Sequence, residues 1–360
     1  MFEQTIQMMD SFLEMGIPGY DCIVYKDGKE VFRHMNGYSD FENKVPVKGT
    51  ERYNIYSCSK PITCTAALQL FEKGLYKLED PLSDYMPEFK TMYVKTEDGI
   101  KEAKKHITIK DLFCMTAGFS YNTASEQLKL ARKETDGKCP TRETMKYLAK
   151  EPLLFEPSTR WQYSLCHDVL AALIEVLTGE RFGAYVKKNI FDPLGMDRTT
   201  FLLADEEFDT LAEHYRFYPD TKELRNCGKN IQGFKLGSEY ESGGAGCISC
   251  VDDYIKFLEA MRIGDVILKK ETIDLMAQNH LTSEQHATSN MMPGYTYGLG
   301  VRTALPGSGK YDFGWGGAAG AYLAIDRVNR ATLFYVQHVM NSPNQTIRYR
   351  VKECAWNDLG

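Results

Sequence analysis

No run of eighteen apolar residues occurs anywhere in the 360 residues, so the chain offers no helix for crossing a bilayer. The opening Met1-Phe2-Glu3-Gln4 also lacks the basic start and apolar centre of a secretory leader, and a cytoplasmic location is expected. Charge of either sign is nearly balanced. With 43 Lys and Arg against 49 Asp and Glu, the net charge of −6 argues against a nucleic-acid groove or an anionic membrane as the main partner. Small molecules fit better. His-Glu-x-x-His and calcium-loop patterns are absent, and Cys247-Ile248-Ser249-Cys250 is a lone C-x-x-C without a second pair or a histidine at ligand spacing. No metal and no cofactor are implied. Gly307-Ser308-Gly309-Lys310 lacks the earlier glycine and the following Ser or Thr of a phosphate loop, so it reads as a turn. The ten cysteines form no tight framework of spacings, and free core thiols are expected rather than disulfides.

What is present is an ordinary globular composition, 43% hydrophobic and 26% charged, with no internal repeat. Phe2, Ile6, Met9 and Leu13 predict a first amphipathic helix closed by Gly16 and Pro18. Strands over 20–25 and 30–34 follow, joined across Lys26-Asp27-Gly28-Lys29. Ile62, Ala66 and Leu70 repeat at four-residue spacing before Gly74, which predicts a buried helix over 58–73 with Pro61 in its first turn. Helices over 108–115, 141–150 and 168–177 make the middle look helical. Beyond about Gly237 come a glycine-rich turn, Ser242-Gly243-Gly244-Ala245-Gly246, and a helix over 251–261 capped by Ser249. Strands over 295–303, 319–326 and 331–339 and a closing helix over 345–356 complete the chain. Residues 95–105 and 279–292 read as polar, mobile insertions. The expected fold class is α+β: residues 1–90 and 237–360 form a lobe with a central antiparallel sheet flanked by helices, residues 91–236 a mainly helical lobe, and the active site lies between them.

Three pieces carry chemistry. Ser57 and Lys60 are three residues apart, so at a helix start their side chains leave one face together, a nucleophile beside a base. Tyr163, in Gln162-Tyr163-Ser164, sits where a turn leads into a helix and can project into the interlobe cleft. Trp315-Gly316-Gly317-Ala318 precedes a strand-like run, and glycines there let a backbone N–H approach a ligand closely. A Ser-His-Asp system through His167 and Asp168 is excluded by helix geometry. Adjacent helical residues point about 100° apart, so Asp168 cannot orient His167. His167 is expected at a surface or rim, His338 packed in a strand, and Ser59 is a decoy with no lysine three residues on.

In this order the pieces resemble the serine β-lactamase and penicillin-binding-protein family, in its class C and carboxylesterase-like branch (family VIII esterases). Tyr56-Ser57-Cys58-Ser59-Lys60-Pro61 is similar to the family's first motif. Ile107-Thr108-Ile109-Lys110-Asp111-Leu112-Phe113, Thr116-Ala117-Gly118, Phe191-Asp192-Pro193-Leu194-Gly195-Met196 and Ser242-Gly243-Gly244-Ala245-Gly246 are also typical of it. The resemblance implies a β-lactamase/transpeptidase-like fold. It also implies catalysis by Ser57, Lys60 and Tyr163, an oxyanion hole from the N–H groups of Ser57 and Ala318, and substrate contacts at Trp315, Gly316 and Gly317.

Two departures bear on substrate. Tyr163-Ser164-Leu165 replaces the Tyr-x-Asn common in lactamases, and Trp315-Gly316-Gly317 replaces a motif that usually begins with Lys or His. An indole has one N–H donor and no charge with which to hold a β-lactam carboxylate. Esters of small to medium acyl groups are therefore expected, hydrolysed or transferred through an acyl-enzyme. A β-lactamase, a D-amino-acid peptidase and a penicillin-binding sensor acylated without turnover are the alternatives. The residues leave open whether Lys60 or Tyr163 is the base, and they carry no information on oligomeric state.

Overall fold

A computed structural model describes residues 2–229 and 234–360. Its centre is an antiparallel sheet of eight strands. In chain order these are β1 (Gly19–Lys26), β2 (Lys29–Asp40), β3 (Val45–Pro46), β4 (Tyr295–Tyr297), β5 (Arg302–Ala304), β6 (Asp312–Gly316), β7 (Tyr322–Asp326) and β8 (Ala331–Val336). Their spatial order is β4-β5-β6-β7-β8-β1-β2-β3, so the C-terminal meander closes against the first hairpin. Asp27 (φ 55°) and Gly28 (φ 79°) give that hairpin the paired left-handed turn that matches strand twist.

Alternation along the strands explains why both faces are covered. Cys22, Val24, Leu333 and Tyr335 point to one side, where they pack with Met9 and Phe12 of helix α1 (Glu3–Glu14) and with Val351 and Ala355 of the C-terminal helix Arg350–Leu359. Ile23, Phe334, Val336 and Leu323 point to the other side, into a larger core shared with α2 (Ser59–Glu72), α3 (Cys166–Thr178) and α4 (Val251–Ile263). Being buried on both faces, β1, β7 and β8 read as nearly continuous apolar runs. The helix α2 is buried almost all round. Only Gln69, Phe71 and Glu72 of its fourteen residues escape full burial, which suits the central helix of a large domain rather than a surface one.

Several expectations are corrected. The stretch 295–303 is not one strand but the hairpin β4–β5, because Gly298 and Gly300 make a tight turn there, and a Cβ on Gly300 would lie 2.1 Å from Cys64 Sγ. Residues 91–236, expected to be mainly helical, carry strands as well as helices. They hold a hairpin of Tyr93–Thr96 with Gly99–Glu102, which overlaps the stretch 95–105 read as mobile, and a second of Tyr215–Tyr218 with Glu223–Asn226, whose first strand pairs in parallel with Val339–Met340. A helix over Glu126–Glu134, capped by Ser125, went unread. The stretch 279–292 is not a free insertion. It contains a short helix, Ser283–Ala287, closed by a capping box between Thr282 and Gln285. The Gln285 amide donates to the Ser158 carbonyl at 3.0 Å, and Thr288 Oγ1 accepts from the Trp161 N–H at 2.9 Å, tying this stretch to the segment that carries Tyr163. Ser249 does not cap α4; it pairs with Tyr53 in a two-residue strand, and Cys250 takes the cap position. The closing helix starts at Arg350 rather than 345. All ten cysteines are free.

Candidate active site

Ser57 does not lie on α2 itself but on a single 3-10 turn, Tyr56–Cys58, that leads into it. Tyr56 adopts φ 47°, a left-handed conformation unfavourable for a bulky residue. Its ring is buried and its hydroxyl meets His214 Nε2 at 2.8 Å, which anchors the strained residue next to Ser57. His214 stays neutral, because burial pulls its pKa down to about 4. Ser59 is structural: fully buried, its hydroxyl donates to the Tyr56 carbonyl at 2.5 Å and accepts from the Cys247 N–H at 2.9 Å.

Lys60, one helical turn after Ser57, is fully buried. Its Nζ donates to Ser57 Oγ at 3.2 Å and to the Gly244 carbonyl at 2.6 Å, and it sits 4.4 Å from the centre of the Tyr163 ring. The glycine-rich turn allows this approach. A Cβ on Gly243 would lie 2.3 Å from the His167 carbonyl, and one on Gly244 would lie 2.6 Å from Asp168 Oδ2. Asp168, at the start of α3, takes the hydroxyls of Tyr240 (2.8 Å) and Ser242 (2.6 Å) on one oxygen. Burial raises its pKa against the opposing pull of the Ser242 hydroxyl and the Lys60 charge. The carboxylate thus holds the turn whose carbonyl holds Lys60.

Tyr163 also reaches Ser57, its hydroxyl donating to Ser57 Oγ at 2.5 Å. Its ring is stacked between Tyr121 (centroids 5.3 Å apart) and Trp315 (5.8 Å), and Trp315 Nε1 points at Tyr163 Oη from 3.4 Å. The end of β6 runs against the serine turn so closely that a Cβ on Gly317 would lie 2.3 Å from the Ile55 carbonyl oxygen. Among the described residues, the N–H groups of Ser57 and Ala318 donate to no protein acceptor. Ser57 opens into a cleft of about 470 Å³ lined by Trp161, Tyr163, Met291, Trp315 and Arg348.

The residues expected to act together are therefore brought together, and those expected to stay apart do so. His167 is not at a rim, as expected, but fully buried. Its Nε2 lies 3.2 Å from the Phe113 carbonyl, and burial, with the Lys60 charge adding, pushes its pKa down to about 3. Asp168 bonds to hydroxyls, not to His167. His338 packs, its Nε2 accepting from the Asn54 N–H at 3.2 Å. Sequence reasoning missed Arg348 and Met291, which come from stretches read as helix and loop, and the roles of Tyr121 and Asp168. Among the described residues no group of His, Cys, Asp and Glu is placed to hold a metal ion, and no helix is long and apolar enough to cross a membrane.

A serine met by a buried lysine and a tyrosine, in a cleft between an antiparallel sheet and a helical layer, defines a serine hydrolase of the penicillin-recognising class. The β-lactamase family model matches residues 5–353, and the chain belongs to that family. Esterase EstB of Burkholderia gladioli is 28% identical over 282 residues, 72% of this chain and 70% of that protein. Among solved structures, EstCE1, described as a hydrolase with promiscuous acyltransferase activity, superposes with a TM-score of 0.82 at 23% identity over 98% of both chains. Unliganded simvastatin synthase LovD from Aspergillus terreus gives 0.79 at 21% identity, over 99% of this chain and 100% of that one. These two share the fold.

Proposed function

We propose that the protein hydrolyses or transfers the acyl group of small to medium carboxylic esters through a covalent Ser57 acyl-enzyme. The observation that carries this reading is that both Lys60 Nζ (3.2 Å) and Tyr163 Oη (2.5 Å) contact Ser57 Oγ at the floor of an open, aromatic-walled cleft. Ser57 Oγ bonds to the ester carbonyl carbon as its proton passes to Tyr163. Tyr163 and Lys60 act there as one base, Tyr163 relaying the proton to the Lys60 amine against its ring, while the Trp315 N–H faces the phenol oxygen. The unused N–H groups of Ser57 and Ala318 receive the charge that develops on the carbonyl oxygen. As the tetrahedral centre collapses, the bond to the alcohol breaks and Tyr163 returns the proton to the departing oxygen. Water, or an acceptor alcohol, then repeats both steps on the acyl-enzyme and releases the acid or a new ester. The esterase name of EstB and the acyltransferase activity named for EstCE1 support this choice of substrate, as does Trp315 at the place of a lactam-reading cation.

The test is turnover of p-nitrophenyl acetate, p-nitrophenyl butyrate and a chromogenic cephalosporin by the wild type and Ser57→Ala. Sustained ester hydrolysis, reduced to background in Ser57→Ala, is expected. A single stoichiometric burst makes the protein a sensor, and fast cephalosporin hydrolysis makes it a lactamase.

A further inference from the structure

Three successive residues, Gln337, His338 and Val339, follow the end of β8 and enter none of the contacts to Ser57, yet each braces a segment next to an oxyanion donor. Gln337 braces the turn that holds Ala318. Its side chain is fully buried against Gly320, where an added Cβ would fall 2.1 Å from Gln337 Cγ and 2.6 Å from Nε2. Gly320 closes that turn by donating to the Gly317 carbonyl at 3.1 Å, and the Val339 N–H donates to the Ala319 carbonyl at 2.8 Å. The brace is itself fixed. Gln337 and the fully buried Asn344 form a reciprocal amide pair, Nε2 donating to Oδ1 at 3.1 Å and Nδ2 to Oε1 at 2.7 Å, and Tyr335 Oη donates to the same Oε1 at 2.7 Å. An apolar side chain would fill the same space; an amide locked by three hydrogen bonds fixes where it stands.

His338 does the same for the serine turn. Its Nε2 accepts from the Asn54 N–H at 3.2 Å, so the ring proton sits on Nδ1, which donates to the Ala212 carbonyl at 3.1 Å. Burial keeps the ring neutral. It meets the His214 ring nearly at a right angle, with centroids 4.5 Å apart, and His214 holds the hydroxyl of Tyr56, the strained residue before Ser57. One stretch of backbone therefore carries supports for both N–H donors. Their mutual placement is what an oxyanion hole must keep, since a misplacement of about 1 Å costs on the order of 10²-fold in rate. We propose that Gln337 and His338 are positioning residues that set the two oxyanion donors, Ala318 and Ser57, against each other. This rests on the acyl-enzyme reading above, but not on the substrate being an ester.

The test is the inhibition constant Ki of n-butylboronic acid, measured beside kcat and KM for p-nitrophenyl butyrate. Ser57 Oγ adds to the trigonal boron as its proton passes to the Tyr163–Lys60 base, and the tetrahedral boronate anion that forms places one oxygen in the oxyanion hole. Partial unfolding lowers the active fraction and leaves Ki alone, so a merely structural role does not move this constant. Gln337→Met keeps the bulk against Gly320 but unpairs Asn344, and His338→Phe keeps a ring against His214 but drops both hydrogen bonds. Each is expected to raise Ki by about tenfold and to lower kcat by a similar factor, with KM changed by less than about threefold. Gln337→Asn and His338→Asn, which withdraw the side chain from Gly320 and from His214, are read in the same way where the first variants do not fold. A rise in Ki below about threefold in either residue's variant overturns the proposal. If the wild type turns over no ester, the ester reading fails, and boronate binding is followed instead through the fluorescence of Trp161 and Trp315, which line the cleft. Weaker binding in the variants then upholds the proposal, and no binding by the wild type sinks it.

Discussion

Gly317→Ala tests whether the serine turn and the end of β6 are as tightly coupled as the distances indicate. The new methyl carbon would start 2.3 Å from the Ile55 carbonyl oxygen and 3.1 Å from Ala321 Cβ, where ordinary contact begins near 3.4 Å. One side must give by about 1 Å, and neither is free to. Ile55 donates its N–H to the Cys247 carbonyl at 3.1 Å, and its own carbonyl accepts from Cys58 at 3.1 Å, so shifting it drags the turn that carries Ser57. Gly317 donates to Ala321 at 2.7 Å and accepts from Gly320 at 3.1 Å, so shifting it moves Ala318. A misplacement of about 1 Å between nucleophile and oxyanion donors costs on the order of 10²-fold in rate. Overpacking at such a site costs about 1–3 kcal/mol in stability. The assay is kcat/KM for p-nitrophenyl butyrate beside a thermal melt. Gly316→Ala is the comparison, because its methyl would meet the flexible end of Arg348 at 3.3 Å rather than backbone. Gly317→Ala is expected to be at least tenfold the more damaging to rate; equal rates for the two variants would refute the coupling.

Two further predictions follow from single contacts. Tyr163→Phe removes the oxygen 2.5 Å from Ser57 Oγ but keeps the ring stacked between Tyr121 and Trp315, so kcat should fall by roughly 10²- to 10⁴-fold with little change in melting temperature; a fall below fivefold assigns the proton transfer to Lys60 alone. His167, held neutral with its pKa near 3, gives the fold stability that is complete above the unfolded value of about 6.5 and is lost as pH falls toward 3, at about 1.4 kcal/mol per pH unit. Asp21, lifted by burial to about 7, has the opposite sign: its contribution is complete at low pH and is lost as pH rises through about 7. The His167 effect is therefore read as the difference between wild type and His167→Gln in denaturant midpoint. The wild type should lose ground steadily from pH 6.5 to 4.5, and a difference independent of pH would show that His167 is protonated in the fold.

How much of this was legible depends on the range of the interaction. The Ser57–Lys60 pair is local, since a three-residue spacing at a helix start places two side chains together whatever surrounds them. The first hairpin is local too, because Asp27-Gly28 writes its own turn. The 3-10 turn under Ser57 was not legible: the left-handed Tyr56 is anchored through its hydroxyl to His214, 158 positions away, and nothing in Ile55-Tyr56-Ser57 announces it. The hairpin at Gly298 and Gly300 escaped because what forbids a side chain at Gly300 is Cys64, on α2. His167 was misread for a similar reason. In the first turn of a helix, a histidine looks exposed until α2 and the helix Ile109–Cys114 close over it, where its Nε2 meets the Phe113 carbonyl at 3.2 Å and Cys64 Sγ at 3.6 Å. Arg348 was invisible as a cleft residue because only the fold brings Thr346-Ile347-Arg348 against Gly316 at the end of β6.

The same division explains how a tryptophan can stand where relatives are expected to carry a cation. Lys60 is fixed by the Gly244 carbonyl, and that turn by Asp168, Ser242 and Tyr240, none of which touches position 315. Tyr163 does touch it, but through ring stacking and one N–H, contacts that an indole makes better than an ammonium would. The contacts that hold Lys60 to Ser57 thus rest on α2, α3 and the glycine-rich turn, while Trp315 and Arg348, which line the rest of the cleft, hang from β6 and from the turn before the C-terminal helix. On the ester reading proposed above, the wall of the cleft can therefore change while the Ser57–Lys60 contact stays, because the two rest on different elements of the fold.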